Sequence, residues 1–228
     1  MLIFQPSTFN FQLFYYLCTQ AMIYFDYNKY KCALFDLDGV VFDTEHQYSV
    51  FWQRECQYYH PELPGLEQRI KGMVLTEILN NFFKDVEGEW GEIVSRLNSW
   101  ETSMNYEYIT GFEPFIAQLK QHGVKTAVVT SSNREKMKSV YRQHPQFTQM
   151  FDAILTAEDF DKSKPDPDCY LKGMALFGCQ PHETVVFEDS VNGLKSGLAS
   201  GATLIGLCTT NPKDIIQKYT NIIINDYT

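Results

Sequence analysis

Residues 32–44 read Cys-Ala-Leu-Phe-Asp-Leu-Asp-Gly-Val-Val-Phe-Asp-Thr. The four apolar residues at 32–35 predict a strand, because a short apolar run without alternation is typical of a strand that helices cover on both faces. Asp36 and Asp38 follow the run, and Gly39 permits a tight turn after them. Ligands of open α/β sheets bind beyond the carboxyl ends of strands, so the two acids indicate either a binding site or a solvated turn.

The rest of the chain repeats the pattern of apolar strand and helix. Further runs of strand length lie at 126–129, 153–155, 184–187, 203–207 and 221–224. Segments with helical spacing lie at 112–122, 168–177 and 191–200, and a glycine follows each of them. This alternation predicts an α/β fold with a doubly wound, Rossmann-like parallel sheet.

The segment from residue 44 to 108 has apolar residues at helical spacing and no strand pattern. It predicts a small all-helical cap domain inserted after the first strand. The core domain then comprises residues 29–43 and 109–228. Residues 1–28 form an N-terminal extension of unknown role, which lacks the positive start of a secretory signal and the unbroken apolar run of a membrane span.

Composition narrows the class of protein. The 228 residues include 28 acidic and 19 basic side chains, a formal charge of −9, which argues against binding to nucleic acid or to an anionic membrane. Six cysteines occur without a Cys-x-x-Cys pair, which is typical of free thiols in a reducing compartment. We therefore expect a cytoplasmic protein that has neither nucleic acid nor membrane as a partner.

Polar residues also follow the later strands. Thr130 and Ser131 come after the second strand, Lys164 precedes a proline-rich turn, and Glu188 and Asp189 come after the fourth strand. Taken singly, these residues have simpler roles: a hydroxyl or an acid caps a helix, and a lysine is solvated.

Together they indicate phosphate chemistry. Four carboxylates in one cleft would repel each other, and a hard divalent cation with oxygen ligands relieves that repulsion; Mg²⁺ is the usual ion where phosphate also binds. Lys164 and Thr130 suit the oxygens of a phosphoryl group. An aspartate beside the metal suits a covalent nucleophile.

With these motifs in this order, the sequence resembles the haloacid dehalogenase superfamily over about residues 30–228. Within the superfamily it is similar to the branch of β-phosphoglucomutase and sugar-phosphate phosphatases, through Asp43-Thr44-Glu45, the helical insert and Lys71-Gly72. Asp38 favours phosphate chemistry over carbon–halogen cleavage, since the dehalogenases lack an acid at that position.

The resemblance implies a role for each motif residue. Asp36 attacks phosphorus, and Asp38 acts as general acid and then as general base. Thr130, the backbone near Ser131 and Lys164 bind the phosphoryl group. The ligands of Mg²⁺ are Asp36, the carbonyl of Asp38, Asp189 and, directly or through water, Glu188.

Residues of the predicted cap distinguish a phosphatase from a mutase. Mutases of this branch carry a histidine where this chain has Tyr48 and an arginine where it has Leu75, which favours a phosphatase, although Arg69 or Lys71 could substitute. Glu45, Tyr48 and Lys71 are the candidates for substrate contacts, with surface positions as the alternative. We expect a Mg²⁺-dependent phosphatase of a small phosphorylated metabolite, a sugar phosphate above all. A sugar-phosphate mutase and a catalytically silent metabolite-binding protein are the alternatives.

Overall fold

The computed structural model describes residues 25–70 and 73–228. Residues 1–24, most of the predicted extension, and the dipeptide Lys71-Gly72 lie outside the described residues. The last part of the extension packs on the core, because Phe25 is buried with its ring centroid 6.0 Å from that of Phe115. The domain boundaries at residues 28, 44 and 108 stay a prediction.

A six-stranded parallel sheet forms the centre of the described chain. In chain order its strands are β1 (Cys32–Phe35), β2 (Lys125–Val129), β3 (Ala153–Leu155), β4 (Thr184–Glu188), β5 (Thr203–Leu207) and β6 (Ile223–Ile224). Their spatial order is β3-β2-β1-β4-β5-β6, which confirms the doubly wound α/β fold. The sequence-based strands differ only at three ends, by one residue in β2 and β4 and by two in β6.

The winding of the sheet reverses at β1. Phe35 pairs with Val128 of β2 on one side and with Phe187 of β4 on the other. Ligands of such sheets bind beyond the carboxyl ends of the strands at the point of reversal. The residues that follow β1, β2 and β4 therefore occupy the favoured position for a site.

Both faces of β1 are covered. Its four residues have no exposed surface. Ala33 and Phe35 belong to one apolar cluster, and Cys32 and Leu34 belong to a second cluster on the opposite face. This double burial is the physical reason for the unbroken apolar run in the sequence.

The chain between β1 and β2 folds into a helical cap. Its α-helices are α1 (Glu45–Tyr59), α2 (Leu66–Ile70), α3 (Leu75–Phe82) and α4 (Trp90–Ser103), with a 3₁₀ segment at Lys84–Glu89. They enclose an apolar cluster of their own, which includes Phe51, Ile78 and Leu97. The predicted helical cap after the first strand is therefore confirmed.

Helices and 3₁₀ turns of the core connect the strands. The helices are α5 (Phe112–Gln121), α6 (Arg134–Gln143), α7 (Phe147–Met150), α8 (Asp168–Phe177), α9 (Val191–Ala199) and α10 (Lys213–Ile216). The 3₁₀ turns are Ala157–Asp159 and Pro181–Glu183.

In the part of the chain that the structure describes, no helix is long and apolar enough to cross a bilayer. The five cysteines described there are free thiols: Cys32, Cys56, Cys169, Cys179 and Cys208.

Replacing Phe115 by alanine should destabilise the core strongly. The ring is 1% exposed and lies 5.6 Å from the ring of Phe187 and 5.1 Å from that of Tyr227. Its loss leaves a cavity, so we expect the free energy of unfolding to fall by about 3–5 kcal/mol in urea titrations. Leu176→Ala, at a position that is 55% exposed, should change it by less than about 0.5 kcal/mol. Similar losses in both variants would contradict this packing.

Candidate active site

The turn after β1 brings two acids to the edge of the sheet. The amide of Asp36 continues the strand ladder by donating to the carbonyl of Phe187 at 3.1 Å. Gly39 then turns the chain with φ of +72°. A Cβ atom at Gly39 would lie 2.0 Å from Oδ2 of Asp189, so only glycine allows the two loops to approach this closely.

Lys164 joins the ends of three strands. Its Nζ lies 2.6 Å from Oδ1 of Asp36, 2.6 Å from Oε1 of Glu188 and 3.2 Å from the carbonyl of Val129. The hydroxyl of Tyr170 also donates to Oε1 of Glu188, at 2.6 Å. All of these side chains are buried. One ammonium therefore pairs with two carboxylates that belong to neighbouring strands.

Burial and neighbouring charges shift the pKa values of the ionisable side chains around Lys164. Burial raises the pKa of Asp36 to about 7; Lys164 opposes that rise, while Glu188 and Asp38 add to it. Burial also disfavours the charge of Lys164, but Asp36 and Glu188 outweigh it and raise the pKa of the ammonium above its usual range. The pKa of Asp189 is well above the ordinary value, through burial and then through the charge of Glu188. A further cation beside these acids would favour their ionised forms.

The acids at the strand ends also offer a metal site. Asp36, Glu188 and Asp189 are buried and can each supply one carboxylate oxygen, with these oxygens all within 4.8 Å of one another. Oδ1 of Asp189 is buried and accepts no hydrogen bond from the described residues. Hard oxygen donors of this kind suit a divalent cation such as Mg²⁺. The residues present therefore fit the ion that the sequence predicts.

The end of β2 supplies hydroxyl and amide groups. Thr130 is buried, and its Oγ1 accepts from the amide of Ser132 at 3.0 Å. Ser131 and Ser132 line the cleft between core and cap, together with Asn133, which precedes α6 and caps it by accepting from the amide of Lys136 at 2.9 Å. The predicted residues Thr130 and Ser131 thus lie in the same cleft as Asp36, Asp38 and Lys164.

Asp38 has partners that the sequence did not predict. Its Oδ1 accepts from the hydroxyl of Thr44 at 2.6 Å, and its Oδ2 accepts from Ser132 at 3.0 Å and from the ammonium of Lys136. Lys136 lies in the first turn of α6, whereas Ser132 precedes the helix. Nothing in the local sequence directs this ammonium towards the residues after β1.

Two of the three cap candidates line the cleft. Glu45 and Tyr48 lie there on one face of α1 with Ser49 and Trp52, at the spacing of i, i+3, i+4 and i+7. The hydroxyl of Tyr48 donates to Oε1 of Glu101, at 2.8 Å. The third candidate, Lys71, lies outside the described residues.

At the two positions where mutases of this branch have histidine and arginine, this chain has Tyr48 and Leu75, neither of which is a cation. Leu75 lines the cleft where the mutases have arginine. The guanidinium of Arg69 lies over the ring of Phe82, 5.0 Å from its centroid. Of the two possible substitutes for the missing arginine, Arg69 is thus engaged within the cap.

Comparison with known proteins identifies the family. Residues 33–207 match the model of the haloacid dehalogenase-like hydrolases, from β1 to the end of β5. The chain belongs to this family. The matched stretch contains all four of the predicted motifs, and the resemblance seen in the sequence is confirmed.

Relatives within the haloacid dehalogenase-like hydrolases include named phosphatases. Validoxylamine A 7'-phosphate phosphatase from Streptomyces hygroscopicus subsp. limoneus is 26% identical over 204 residues, which cover 87% of this chain and 95% of the relative. Hexitol phosphatase A from Escherichia coli is 28% identical over 186 residues, which cover 78% and 82%. The structure of β-phosphoglucomutase from Clostridium difficile superposes with a TM-score of 0.72 at 18% identity, covering 87% of this chain and 92% of that one. This last likeness shows the shared fold.

Removal of the Lys164 ammonium should destabilise the protein. In Lys164→Met, Asp36 and Glu188 stay buried without their cation, and breaking a buried pair in this way costs about 3–5 kcal/mol of unfolding free energy. Urea titration in the absence of divalent ions measures the loss. Lys162→Met removes an exposed ammonium that pairs with Asp166 at the surface, and it should change stability little. Equal stability of the two variants would show that Lys164 does not hold the acids together.

Proposed function

We propose that this chain is a Mg²⁺-dependent phosphatase that hydrolyses a small phosphorylated metabolite, with sugar phosphates as the leading class, through an aspartyl-phosphate intermediate. Its enzyme class, phosphoric monoester hydrolase, agrees with that of its named relatives. The observation that carries the mechanism is the buried carboxylate of Asp36, which the Lys164 ammonium holds at 2.6 Å on the wall of the cleft.

In the first step, a carboxylate oxygen of Asp36 attacks phosphorus. An oxygen–phosphorus bond forms to Asp36 as the bond between phosphorus and the leaving oxygen breaks. Asp38 donates its proton to that leaving oxygen, which departs as an alcohol. Lys164 and the groups around Thr130 stabilise the negative charge of the transferring phosphoryl group.

In the second step, water attacks the phosphorus of the aspartyl phosphate. Asp38, now ionised, takes a proton from that water. The bond between phosphorus and Asp36 breaks, which restores the carboxylate and releases inorganic phosphate. The same side chain thus serves as acid and then as base, and Asp38 regains the proton it lost.

The acids beside Asp36 would hold Mg²⁺. Asp189 offers a buried oxygen without a hydrogen bond, whereas both oxygens of Glu188 already accept from Lys164, Tyr170 or nearby amides. We therefore assign direct ligation to Asp36, the carbonyl of Asp38 and Asp189, and ligation through water to Glu188. When bound, the ion shields the negative charges of Asp36 and the phosphoryl group from each other.

A phosphatase fits the described cap better than a mutase does. A mutase must grip a bisphosphate at both ends, and arginine suits this because it binds phosphate with two parallel hydrogen bonds. Leu75 stands at that position in the cleft, and Arg69 lies against Phe82. These contacts support hydrolysis of a substrate with one phosphate.

Asp36→Asn should abolish phosphate release. The amide that replaces the nucleophile cannot form the aspartyl phosphate, so a panel of sugar phosphates with Mg²⁺ should release no phosphate above the buffer rate. Mass spectrometry after an acid quench should detect phosphorylated wild-type protein and no phosphorylated variant. Asp43→Asn, at an exposed position in the same loop, is the matched control and should remain active.

The same assay separates the alternatives. Phosphate release by Asp36→Asn at the wild-type rate would exclude Asp36 as the nucleophile. Isomerisation of a sugar phosphate without net phosphate release would indicate a mutase. A wild-type protein that binds sugar phosphates but turns none of them over would indicate a silent binding protein.

Mg²⁺ should raise Tm through the unpaired oxygen of Asp189. An ion that binds only the folded state stabilises it, by about 2.7 kcal/mol at a concentration 100 times its Kd. Differential scanning calorimetry with and without Mg²⁺ measures the shift. Asp189→Asn should lose it, while Asp214→Asn, at an exposed position on α10, should keep it. The proposed metal site would be wrong if Asp189→Asn kept the full shift.

A further inference from the structure

Lys136 is a buried cation to which the proposed reaction assigns no role. It lies in the first turn of α6, and its side chain is 2% exposed. Its ammonium donates to Oδ2 of Asp38 and to Oγ of Ser132, the latter at 3.0 Å. A buried ammonium requires such partners, because removal of its charge from water is unfavourable.

The same ammonium also contacts the cap. Its Nζ lies 4.7 Å from the centroid of the Tyr48 ring, within the range of a cation–π interaction. Tyr48 belongs to α1, and its hydroxyl donates to the buried carboxyl of Glu101 on α4. Burial raises the pKa of Glu101, and the charge of Lys136 opposes that rise, which also indicates that the two groups interact.

Asp38 is therefore held from two sides. Thr44, which directly precedes α1, donates to Oδ1, and Ser132 and Lys136 of the core donate to Oδ2. The three donors fix the direction of the carboxylate in this arrangement. Lys136 also contacts a side chain of a cap helix, the ring of Tyr48.

We propose that Lys136 is a positioning residue that orients Asp38 and links its orientation to the docking of the cap through the ring of Tyr48. This inference rests on the proposed function, in which Asp38 exchanges the proton with the leaving group and with water. Lys136 lines the cleft, and in the role proposed here its ammonium acts on the reaction through Asp38 rather than by contact with the substrate. A cap that leaves the core removes the ring of Tyr48 from the ammonium and loosens the hold on Asp38.

A double-mutant cycle with Asp38 tests this role. Single-turnover rates, with enzyme in excess over one sugar phosphate and Mg²⁺, keep the slow variants measurable. In the wild-type background, Lys136→Met should lower the maximal rate about 10- to 100-fold, which lies within the range of general acid–base catalysis, and should leave the half-saturating concentration within about twofold. In the Asp38→Asn background, the same substitution should change the rate by less than about twofold, because there is no acid left to orient.

The matched control is Lys138→Met, two residues along the same helix. Its ammonium is exposed and pairs with Glu135 at the surface. The loss of this ammonium should therefore leave the single-turnover rates and the tryptophan emission described below unchanged. Three results would overturn the proposal. Lys136→Met could leave the single-turnover rate unchanged, or it could lower that rate by the same factor in the Asp38→Asn background. It could also raise the half-saturating substrate concentration at an unchanged maximal rate. The last would make Lys136 a direct contact of the substrate.

Tryptophan emission tests the link to the cap without catalysis. The three tryptophans of the chain, Trp52, Trp90 and Trp100, all belong to the cap, and Trp52 lines the cleft. In ligand-free protein, Lys136→Met should shift their emission to longer wavelength relative to the wild type and to Lys138→Met. An unchanged spectrum would overturn the link. If the wild type turned over no substrate, the proposed function would be wrong. The tryptophan emission would still show whether Lys136 contributes to the docking of the cap.

Tyr48→Leu replaces Lys136→Met if the latter does not fold, as judged by circular dichroism. It keeps both charges and removes the ring under the ammonium, together with the hydroxyl that donates to Glu101. It should lower the single-turnover rate in the wild-type background and have no effect in the Asp38→Asn background. An equal loss in both backgrounds would overturn the proposal.

Discussion

The ammonium of Lys164, buried between Asp36 and Glu188, is the interaction on which the site rests. It places one positive charge 2.6 Å from a carboxylate that follows β1 and 2.6 Å from a carboxylate at the end of β4. Without it, two like charges would face each other in a region that excludes bulk water, and one of them would have to take up a proton. Lys164 opposes the rise in the pKa of Asp36 that burial causes, and the proposed nucleophilic attack requires the ionised form of this carboxyl.

The topology of the sheet explains why these groups meet. Since β1 lies between β2 and β4, the loops after all three strands open on the same edge. Residues that are more than 150 positions apart, such as Asp36 and Asp189, become neighbours there, and Gly39 permits the contact because a side chain would collide with Asp189. The β-phosphoglucomutase structure shares this architecture, so the same edge is available in that fold.

The charge of the cap has a consequence for substrate binding. Residues 44–108 carry eleven acidic and five basic residues, so most of the net charge of −9 lies in the cap. Three of the four cations of the described cap are engaged elsewhere: Arg96 pairs with Glu55 at 2.8 Å, and Arg54 and Arg69 lie over aromatic rings. The field of the cap does not attract a phosphate. Under the proposed function, binding would come from close contacts in the core, above all with Lys164, the hydroxyls after β2 and the metal.

The sequence alone was sufficient for the strands, the inserted cap and the family, because each leaves a local signal. The run at 32–35 is apolar throughout because both faces of β1 are covered. The motif residues stand at strand ends or turns, which can be located from residue propensities and from the order of the motifs: Asp36, Thr130, Lys164 and Glu188. The partners of Asp38 left no such signal. Lys136 is 98 positions away from it and Glu101 is 53 positions away from Tyr48. Which side chain meets which acid is decided by tertiary packing, of α6 beside the turn after β1 in the core and of α1 against α4 in the cap, since packing brings together side chains whose spacing along the chain carries no periodic pattern.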